Sequence, residues 1–380
     1  MKMTGKGIFL RILIPFWYRL MCCFSGKPDR VLFLEIRYGD VTDNLRLLKA
    51  AYEKEGGHKT AVYLLRTGEG SGFSFVLRCF GMLRALAKAK LVYVDESSDI
   101  LAAVPVRRET AVIQCWHACG AFKRFGHGSG PLPREYYGPY AFVTVSSPDI
   151  VADYMDAMNQ PAEKVLPLGV SRTDRFFDQA FLEAARKKVR ALDPALSSRR
   201  ILLYAPTFRG NVADAKMPPL PDFEKLKAAL SKECVLLYKG HPSCSERPDF
   251  GRDLADFCFD VTDRFSIEEL LATADYCVTD YSSLVFEFAL FERPILFYVP
   301  DLAQYGDERG FYHTIAELDA GEVCTDTAAL AAAVLDEVTS GPEGMKPETC
   351  ERIKAFRRRF MESCDGHATE RIMAKARELF

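Results

Sequence analysis

Five short polar segments of this 380-residue sequence each follow a run of apolar or β-branched residues. They are residues 115–120 (CWHACG), 169–174 (GVSRTD), 204–210 (YAPTFRG), 238–242 (YKGHP) and 279–283 (TDYSS). The segments supply the cations Arg172 and Lys239, the imidazoles His117 and His241, and several hydroxyl groups. Such side chains, with the free N–H groups at the start of a helix, are donors for phosphate oxygens. We therefore expect a diphosphate site at the ends of several strands.

Each segment alone has a simpler explanation. A histidine after a strand is more often a hydrogen-bonded structural residue than a base. Ser282 and Ser283 precede an apolar helix, where an N-cap contributes about 1 kcal/mol. Pro206 and Thr207 have the chemistry of a turn, and residues 239–242 fit a solvated loop. Five segments after successive strands nevertheless favour one common site.

Other phosphate and metal sites lack their signatures here. The chain has no Walker loop and no GxGxxG fingerprint, so ATP and NAD are poor candidates. It contains no Asp-x-Asp pair, no HExxH and no close histidine pair. We therefore predict neither a cofactor nor a protein-bound metal.

Strands and amphipathic helices alternate in two halves, which predicts an α/β protein with two doubly wound, Rossmann-like domains. The strands predicted for the first half are 31–36, 61–65, 91–94, 111–115 and 141–145, with helices at 44–54 and 75–89. Those predicted for the second half are 200–204, 234–239, 257–261, 275–279 and 295–298, with helices at 222–231, 267–273 and 284–291 and further helices after 325. A polar stretch at 192–200 resembles a linker, so we predict domains at 29–195 and 196–380, with a ligand cleft between them.

Composition excludes several classes of protein. Apolar residues make up 48% of the chain and charged residues 27%, which permits a large core. The net charge of −2 offers no general attraction to nucleic acid, so no nucleic-acid partner is predicted. The 12 cysteines form no CxxC pair, which favours a reduced cytoplasmic protein with buried thiols.

The first 28 residues form a separate feature. Residues 7–25 (GIFLRILIPFWYRLMCCFS) are apolar but contain Arg11, Pro15 and Arg19, and lysines flank them. Charges of this kind are costly in a spanning helix. We predict a helix lying in the membrane interface over residues 1–28. A packed first helix and a spanning or cleaved segment remain alternatives.

Taken in order, the five segments resemble those of the CDP-glycerol glycerophosphotransferases, the teichoic-acid primases and polymerases. Further matches are Asp301, Tyr305 and residues 309–312 (RGFY), and then Asp365 and Gly366. The resemblance extends from about Val31 to Arg371. It implies the GT-B type of fold.

The resemblance also implies an activity. A member of this family moves glycerol phosphate, or a related alditol phosphate such as ribitol phosphate, from a CDP-alditol to a hydroxyl of a lipid-linked or polymeric acceptor. CMP is released, and the product is a teichoic-acid or capsule-like polymer made at the cytoplasmic face of the cell membrane, to which the enzyme binds peripherally. The alternatives are a UDP-sugar glycosyltransferase or epimerase of the same fold, and a non-catalytic member.

Site residues follow from the same resemblance. His117 is expected to be the general base, and His241 the second catalytic residue. The expected substrate-binding residues are Trp116, Ala118, Cys119, Gly120, Arg172, Pro206, Thr207, Lys239, Gly240, Ser282, Ser283 and Glu287. Three positions depart from the usual family pattern: Ala118 replaces glycine, Ser171 replaces proline and Glu287 replaces aspartate. These departures leave the identity of the alditol open.

Overall fold

The computed structural model describes residues 5–67, 69, 72–130, 132, 136–210, 214–340 and 345–379, except for the side chains of 306–309. Twelve strands in this part of the chain form two parallel sheets of six strands each. The two Rossmann-like halves predicted for the fold are confirmed.

The first sheet has the strand order β2-β1-β3-β4-β5-β6. Its strands are β1 Arg30–Glu35, β2 Lys59–Leu64, β3 Ala89–Val94, β4 Ala111–Gln114, β5 Phe142–Thr144 and β6 Val165–Leu166. Most are continuous apolar runs, because helices cover both faces of a parallel sheet. The core on one face contains Phe33, Leu48 and Tyr93.

The second sheet has the order β12-β11-β10-β7-β8-β9. Its strands are β7 Arg200–Tyr204, β8 Cys234–Tyr238, β9 Cys258–Asp260, β10 Tyr276–Thr279, β11 Ile295–Tyr298 and β12 Glu322–Cys324. Its core contains Leu236, Phe257 and Val334. The very short strands β6 and β12 were not among the predicted strands.

Sixteen α-helices are found in the described part of the chain. Those up to Met158 are α1 Gly5–Ile8, α2 Ile14–Ser25, α3 Asp43–Glu55, α4 Gly72–Leu86, α5 Asp99–Ala102 and α6 Val151–Met158. The next six are α7 Gln179–Arg190, α8 Ala195–Ser198, α9 Phe223–Leu230, α10 Ile267–Thr273, α11 Leu284–Phe288 and α12 Leu302–Arg309. The last four are α13 Ile315–Leu318, α14 Thr327–Thr339, α15 Pro347–Met361 and α16 Ala368–Arg377.

Two predicted helices end earlier than expected. The helix predicted to extend to residue 89 ends at Leu86, because Ala89 already pairs with β1 as the first residue of β3. The helix predicted for 284–291 is α-helical only to Phe288 and continues as a 3₁₀ turn.

Each sheet reverses its strand order at one place, and α/β proteins bind ligands at such switch points. In the first sheet the reversal lies between β1 and β3, and in the second it lies between β7 and β10. The residues after these four strands are therefore the first candidates for a site.

The chain divides into two compact units that differ from the predicted domains. The first unit contains Met1–Cys119, Phe125–Asp174 and Glu362–Phe380, and the second contains Gly120–Arg124 and Arg175–Met361. The predicted boundary at 195/196 lies later in the chain than the change of unit between Asp174 and Arg175. It was placed there because residues 192–200 resemble a linker.

Helix α7 belongs to the second unit. Leu182 of α7 packs with Ala272 of α10, and Lys188 pairs with Glu269 at 2.7 Å. The stretch 192–200 is an ordered turn that contains α8 and the buried Leu196. Its polar composition therefore reflects a surface turn.

Helix α16 returns to the first unit. Ile372 and Met373 complete the core of the first sheet. The carboxylate of Asp174 accepts hydrogen bonds from the main-chain N–H groups of Ala368 and Thr369 at 2.9 and 2.7 Å, which caps the start of the helix.

The N-terminal helix Gly5–Ser25, which includes a π-helical turn at Phe9–Leu13, has one packed and one exposed face. Ile14 and Tyr18 are buried, and the ring of Trp17 lies 5.1 Å from that of Phe80 on α4. Arg107 donates to the carbonyl oxygens of helix residues near its end.

The opposite face is apolar and exposed, with Ile12 at 53%, Phe16 at 56% and Phe24 at 83%. With a mean hydropathy of 1.5 over its most apolar window, the helix is long and apolar enough to cross a membrane, and only 11% of that window is buried. In a single helix near the N-terminus, this length and composition are weak evidence for a membrane contact.

Candidate active site

Trp116, directly after β4, adopts a left-handed backbone conformation with φ +51°. For a bulky residue this costs about 1–3 kcal/mol. The local structure offsets the cost. The main-chain N–H of Trp116 donates to the Gln114 side chain at 2.8 Å, and its carbonyl accepts from Asn44 at 2.5 Å. Its ring stacks on Phe125 at 5.1 Å. As a result Trp116 is buried, while the next side chain, His117, is 44% exposed.

One edge of the His117 ring faces the end of β3. Nδ1 lies 3.1 Å from Oε1 of Glu96, and a ring N–H also donates to the main-chain carbonyl of Asp95. Although the side chain is 44% exposed, the protein desolvates part of the ring, and this desolvation and the nearby charge of Arg172 lower the pKa of His117 to about 4. The imidazole is therefore neutral at physiological pH. A proton on Nδ1, the nitrogen that faces Glu96, leaves Nε2 with the lone pair that a general base needs.

Three carboxyl groups collect at the switch point of the first sheet, and the sequence analysis did not single them out. Glu35 ends β1, while Asp95 and Glu96 follow β3. Glu35 and Asp95 are fully buried, and Glu96 has a side-chain exposure of 14%. Burial, followed by the charge of Glu35, raises the pKa of Asp95 to about 7. Burial, followed by the charge of Asp95, raises the pKa of Glu96 to about 7.

Arg172 connects the second polar segment to the first. Its guanidinium donates to the carbonyl oxygen of His117, and its main-chain N–H donates to Oδ1 of Asn44 at 3.0 Å. Ser171, which replaces the proline usual in the family, donates from Oγ to the carbonyl of Asn44 at 2.9 Å. The segment thus supports the backbone around His117. A phosphate contact by Arg172 stays a prediction.

Ala118 and Cys119 follow His117 in the first unit. The carbonyl of Ala118 accepts a hydrogen bond from the Tyr154 hydroxyl at 3.1 Å, and Cys119 is buried. Gly120 belongs to the second unit and has φ +62°. A Cβ at Gly120 would lie 2.4 Å from the ring of Phe286, so only glycine fits there.

At the switch point of the second sheet, Thr207 and Asp280 meet. The N–H and hydroxyl of Thr207 donate to Oδ1 of Asp280 at 2.8 and 2.9 Å. Arg209 donates to Oδ2 of Asp280 at 2.8 Å and from Nε to Asp301 at 2.6 Å. Burial opposes the charge of Arg209, but the two carboxylates outweigh it and raise the pKa of the guanidinium. The predicted residues Pro206 and Thr207 therefore lie on a framework of paired charges.

Two tyrosines complete this framework. The ring of Tyr281 stacks on that of Tyr305 with centroids 3.7 Å apart, and both rings lie about 5 Å from the Arg209 guanidinium. The Tyr281 hydroxyl donates to Asp301 at 3.1 Å. Asp301 and Tyr305 come from the segment that carried the family resemblance, whereas the side chain of Arg309 lies outside the described residues.

The fourth polar segment lies after β8. Lys239 donates to the carbonyl oxygens of Thr262 and of Phe265, the latter at 2.7 Å, and burial lowers its pKa. Gly240 donates its N–H to Oγ1 of Thr262 at 2.9 Å. Nδ1 of His241 accepts the N–H of Ser243 at 3.1 Å, so a neutral His241 carries its proton on Nε2. His241 is thus arranged to donate a hydrogen bond.

The last segment opens α11. Oγ of Ser282 accepts the N–H of Leu284 at 3.3 Å, and Ser283 makes no side-chain cap. Because α11 has only five residues, the helix dipole expected to help hold a diphosphate is weak. Glu287 is 7% exposed on this helix. Its contact with a hydroxyl of the substrate stays a prediction.

The structure thus assigns the predicted residues to two groups. Trp116, His117, Ala118, Cys119 and Arg172 belong to the first unit, and the other nine belong to the second. The carboxyl groups after β1 and β3 were missed, although an acid directly after each of two adjacent strands was a readable signal. Glu35 lies inside the predicted strand 31–36, and residues 95 and 96 lie just after the predicted strand 91–94.

Comparison with known proteins places these residues in a family context. The family model described as CDP-Glycerol:Poly(glycerophosphate) glycerophosphotransferase matches residues 16–376. The teichoic acid ribitol-phosphate primase of Bacillus spizizenii is 31% identical over 363 residues, which is 91% of this chain and 90% of that protein. The teichoic acid glycerol-phosphate primase of Bacillus subtilis is 28% identical over 295 residues, which is 75% of this chain and 72% of the relative.

A solved structure shares the fold. The wall teichoic acid polymerase TagF superimposes with a TM-score of 0.76 at 19% identity, covering 98% of this chain and 95% of the solved chain. The expected GT-B type of fold is thereby confirmed.

Proposed function

The chain belongs to the CDP-glycerol:poly(glycerophosphate) glycerophosphotransferase family, and we propose that it transfers an alditol phosphate from a CDP-alditol to an acceptor hydroxyl in teichoic acid synthesis. The acceptor is lipid-linked or polymeric. Its oxygen attacks the phosphorus that carries the alditol, the bond from this phosphorus to the bridging oxygen breaks, and CMP leaves with that oxygen. The hydroxyl proton passes to a base on the protein.

The observation that carries the proposal is the arrangement of His117. Its ring is neutral, its N–H is held on the side of residues 95 and 96, and its side chain is 44% exposed. A neutral and accessible imidazole can accept the proton of an acceptor hydroxyl. Phosphoryl transfer otherwise needs positioning and charge stabilisation, so one base accounts for the proton transfer in this reaction.

The second unit supplies the donor contacts in this proposal. A neutral His241 offers an N–H from Nε2 to a phosphate oxygen and thereby stabilises the charge that develops on the leaving CMP. Pro206 and Thr207, on the charge-paired framework, and Ser282 and Ser283 line the same carboxyl edge of the second sheet. The proposal requires no metal ligand from the protein. In the described part of the chain, no three His, Cys, Asp or Glu side chains are grouped to hold a metal.

For the alditol, we propose ribitol ahead of glycerol. The ribitol-phosphate primase matches 91% of this chain at 31% identity, and the glycerol-phosphate primase matches 75% at 28%. Glu287 has one methylene more than the aspartate usual in the family and is the residue we expect to contact an alditol hydroxyl. The Glu287→Asp variant should therefore change the ratio of kcat/KM for the two donors.

The test is to incubate the purified full-length protein with CDP-ribitol, CDP-glycerol or a UDP-sugar, each with primed membrane acceptor, and to follow nucleotide release. We expect CMP from a CDP-alditol only when the acceptor is present, and no UDP from the UDP-sugar. Thermal protection by CMP and not by UDP is the matched binding measurement. Protection and turnover with the UDP-sugar alone would overturn the proposal.

We also propose that the helix Gly5–Ser25 binds the cytoplasmic face of the cell membrane peripherally. Ile12, Phe16 and Phe24 form its exposed apolar face, and Arg11 and Arg19 are exposed on the same helix. Apolar burial and attraction to anionic lipid together give stable interfacial binding.

Flotation with anionic vesicles tests this contact. The double variant Ile12→Glu/Phe16→Glu should lose binding, since both side chains are exposed and their loss leaves the packed face intact. Leu335→Glu, at an exposed leucine of α14, is the control and should float like the unmodified protein. Binding that survives the double variant would assign the membrane contact to another surface.

A further inference from the structure

The ends of β1, β3 and β4 lie side by side, because these strands are neighbours in the first sheet. They bring Glu35, Asp95, Glu96 and His117 together. The closest approach between an acid and the imidazole is 3.1 Å, from Oε1 of Glu96 to Nδ1 of His117. The two atoms are at ion-pair distance but lack the alignment of a hydrogen bond, as is common in catalytic pairs without bound substrate.

Among the described residues, three oxygen atoms of the acids have no hydrogen-bond donor. They are Oε2 of Glu35, Oδ1 of Asp95 and Oε1 of Glu96, and each is buried. The remaining oxygens of the two deeper acids are used: Oε1 of Glu35 accepts from two main-chain N–H groups, and Oδ2 of Asp95 accepts from the Thr42 hydroxyl. A buried oxygen without a donor is costly in a folded protein. Within this cluster of Glu35, Asp95, Glu96 and His117, the imidazole of His117 can donate a hydrogen bond to a carboxylate oxygen. It is also the proposed general base.

We propose that Glu96 is a positioning residue for His117: its carboxylate orients the imidazole through Nδ1–H and stabilises the imidazolium that forms when Nε2 takes the acceptor proton. This inference rests on the proposed function of His117 as the base. The proton comes from the acceptor hydroxyl, stays on Nε2 during transfer, and returns to solvent.

The charge state of Glu96 then sets the pH dependence. Burial, followed by the charges of Asp95 and Glu35, raises the pKa of Glu96 to about 7, and Arg37 opposes this shift. The other ionisable groups facing it are His117, with Arg172 beside the ring, and Tyr38, Tyr136, Tyr137 and Tyr140. A protonated Glu96 cannot stabilise an imidazolium, whereas an ionised one can. Activity should therefore rise with pH through a midpoint near 7 that belongs to Glu96 and not to the imidazole.

Kinetics of the Glu96→Gln variant test the role. We expect kcat to fall 10- to 100-fold with an unchanged KM for the CDP-alditol, and the rise with pH near 7 to disappear. Glu96→Asp should keep the rise and recover part of kcat. Glu109→Gln, which changes an exposed carboxylate of the same unit, should behave like the unmodified enzyme. An unchanged kcat, or a pH rise that survives in Glu96→Gln, would overturn the proposal.

A spectroscopic measurement separates this inference from the proposed reaction. Long-range ¹H–¹⁵N correlation on protein labelled in its six histidines reports tautomer and pKa, and His117→Gln identifies the resonance by its loss. At pH 8, where Glu96 is ionised, Glu96→Gln should shift the ring ¹⁵N resonances of His117, because it removes the neighbouring charge, and Glu109→Gln should not. If no CDP-alditol is turned over but the His117 resonance shifts, the pairing stands and the proposed function fails. If turnover is found and the resonance does not move, the pairing fails alone.

Discussion

The two switch points of the molecule contain buried carboxylates in opposite electrostatic settings. At the first, Glu35 and Asp95 lie near one another and raise the pKa of Glu96. At the second, Asp280 and Asp301 are both paired with Arg209. Carboxylates that repel one another hold protons near neutral pH, while carboxylates paired with an arginine stay ionised and fix the geometry. The first edge therefore contains carboxyl groups that exchange protons near neutral pH, and the second contains a fixed framework of paired charges.

The two histidines differ in the same way. The His117 ring donates towards residues 95 and 96, which leaves Nε2 as an acceptor. The His241 ring accepts at Nδ1, which leaves Nε2 as a donor. One imidazole is arranged to receive a proton and the other to stabilise negative charge. Both histidines follow a parallel strand, but their hydrogen bonds differ. The two imidazoles therefore have different chemical properties.

The largest effect is expected from His117→Gln, which removes the base. CMP release should fall about 10²- to 10⁴-fold, the usual contribution of general base catalysis. Thermal protection by the CDP-alditol should remain, because the proposed donor contacts lie mainly in the second unit. His241→Gln is the matched variant, and it should lower both turnover and protection. Loss of protection in His117→Gln with full protection in His241→Gln would reverse the two roles.

Arg209→Met is expected to lower the free energy of unfolding by about 3–5 kcal/mol, because it leaves Asp280 buried without its cation. Urea unfolding measures the change. Arg264→Met, at an exposed arginine of the same unit, should change the stability little. A small effect of Arg209→Met would mean that the second switch point does not depend on charge pairing.

Asp95→Asn should act in the opposite direction. The pKa of Asp95 is about 7 in the folded protein, well above the value of about 3.9 for an unfolded chain. Its contribution to stability is therefore complete below about pH 4 and is lost as the pH rises to 7. Asparagine removes this loss and should stabilise the protein at pH 8 by on the order of 2 kcal/mol.

The measurement is urea unfolding of Asp95→Asn and unmodified protein between pH 2 and 8, with the exposed Asp40→Asn as control. The second switch point should show the reverse slope. Arg209 lowers the pKa of Asp301, so the stability that Asp301 contributes is present above about pH 3.9 and is lost at lower pH. Equal slopes for the two acids would remove the contrast between the edges.

The smallest effect is expected from Thr207→Val, which deletes one hydrogen bond to Asp280 and keeps the bond from the main-chain N–H. Stability should fall by about 1 kcal/mol. Thr207→Ser keeps the hydroxyl and should recover most of it. If valine is neutral, the Thr207 hydroxyl does not help to hold Asp280.

Much of the fold could be predicted because parallel strands buried on both faces are continuous apolar runs, and most of the predicted strands overlap the observed ones. Strand β6, with two residues, is too short to give a pattern. The division into two compact units differs from the predicted domain boundary for another reason. An amphipathic helix such as α16 has the same pattern whichever sheet it covers, and its contact with the core of the first sheet is set by residues far away in sequence.

The site was predictable to the extent that its residues form motifs. His117 and His241 lie in short segments with recognisable neighbours. The role of Glu96 depends on the buried Asp95 and Glu35, and burial of a carboxylate follows from strand order, which a sequence does not display. The left-handed Trp116 was also beyond prediction, since tryptophan rarely adopts that conformation and only the surrounding hydrogen bonds impose it.

The return of α16 to the first unit affects how the protein is made in the cell. The capping contact from Asp174 to Ala368 joins residues 194 positions apart. At about 5–20 residues per second, a ribosome needs roughly 10–40 s to reach that helix after completing the strands it covers. During that time the part of the first sheet's core that α16 covers stays exposed. The second unit is almost continuous from Arg175 to Met361, so all of its strands and helices are made before α16. We therefore expect the second unit to complete its folding first.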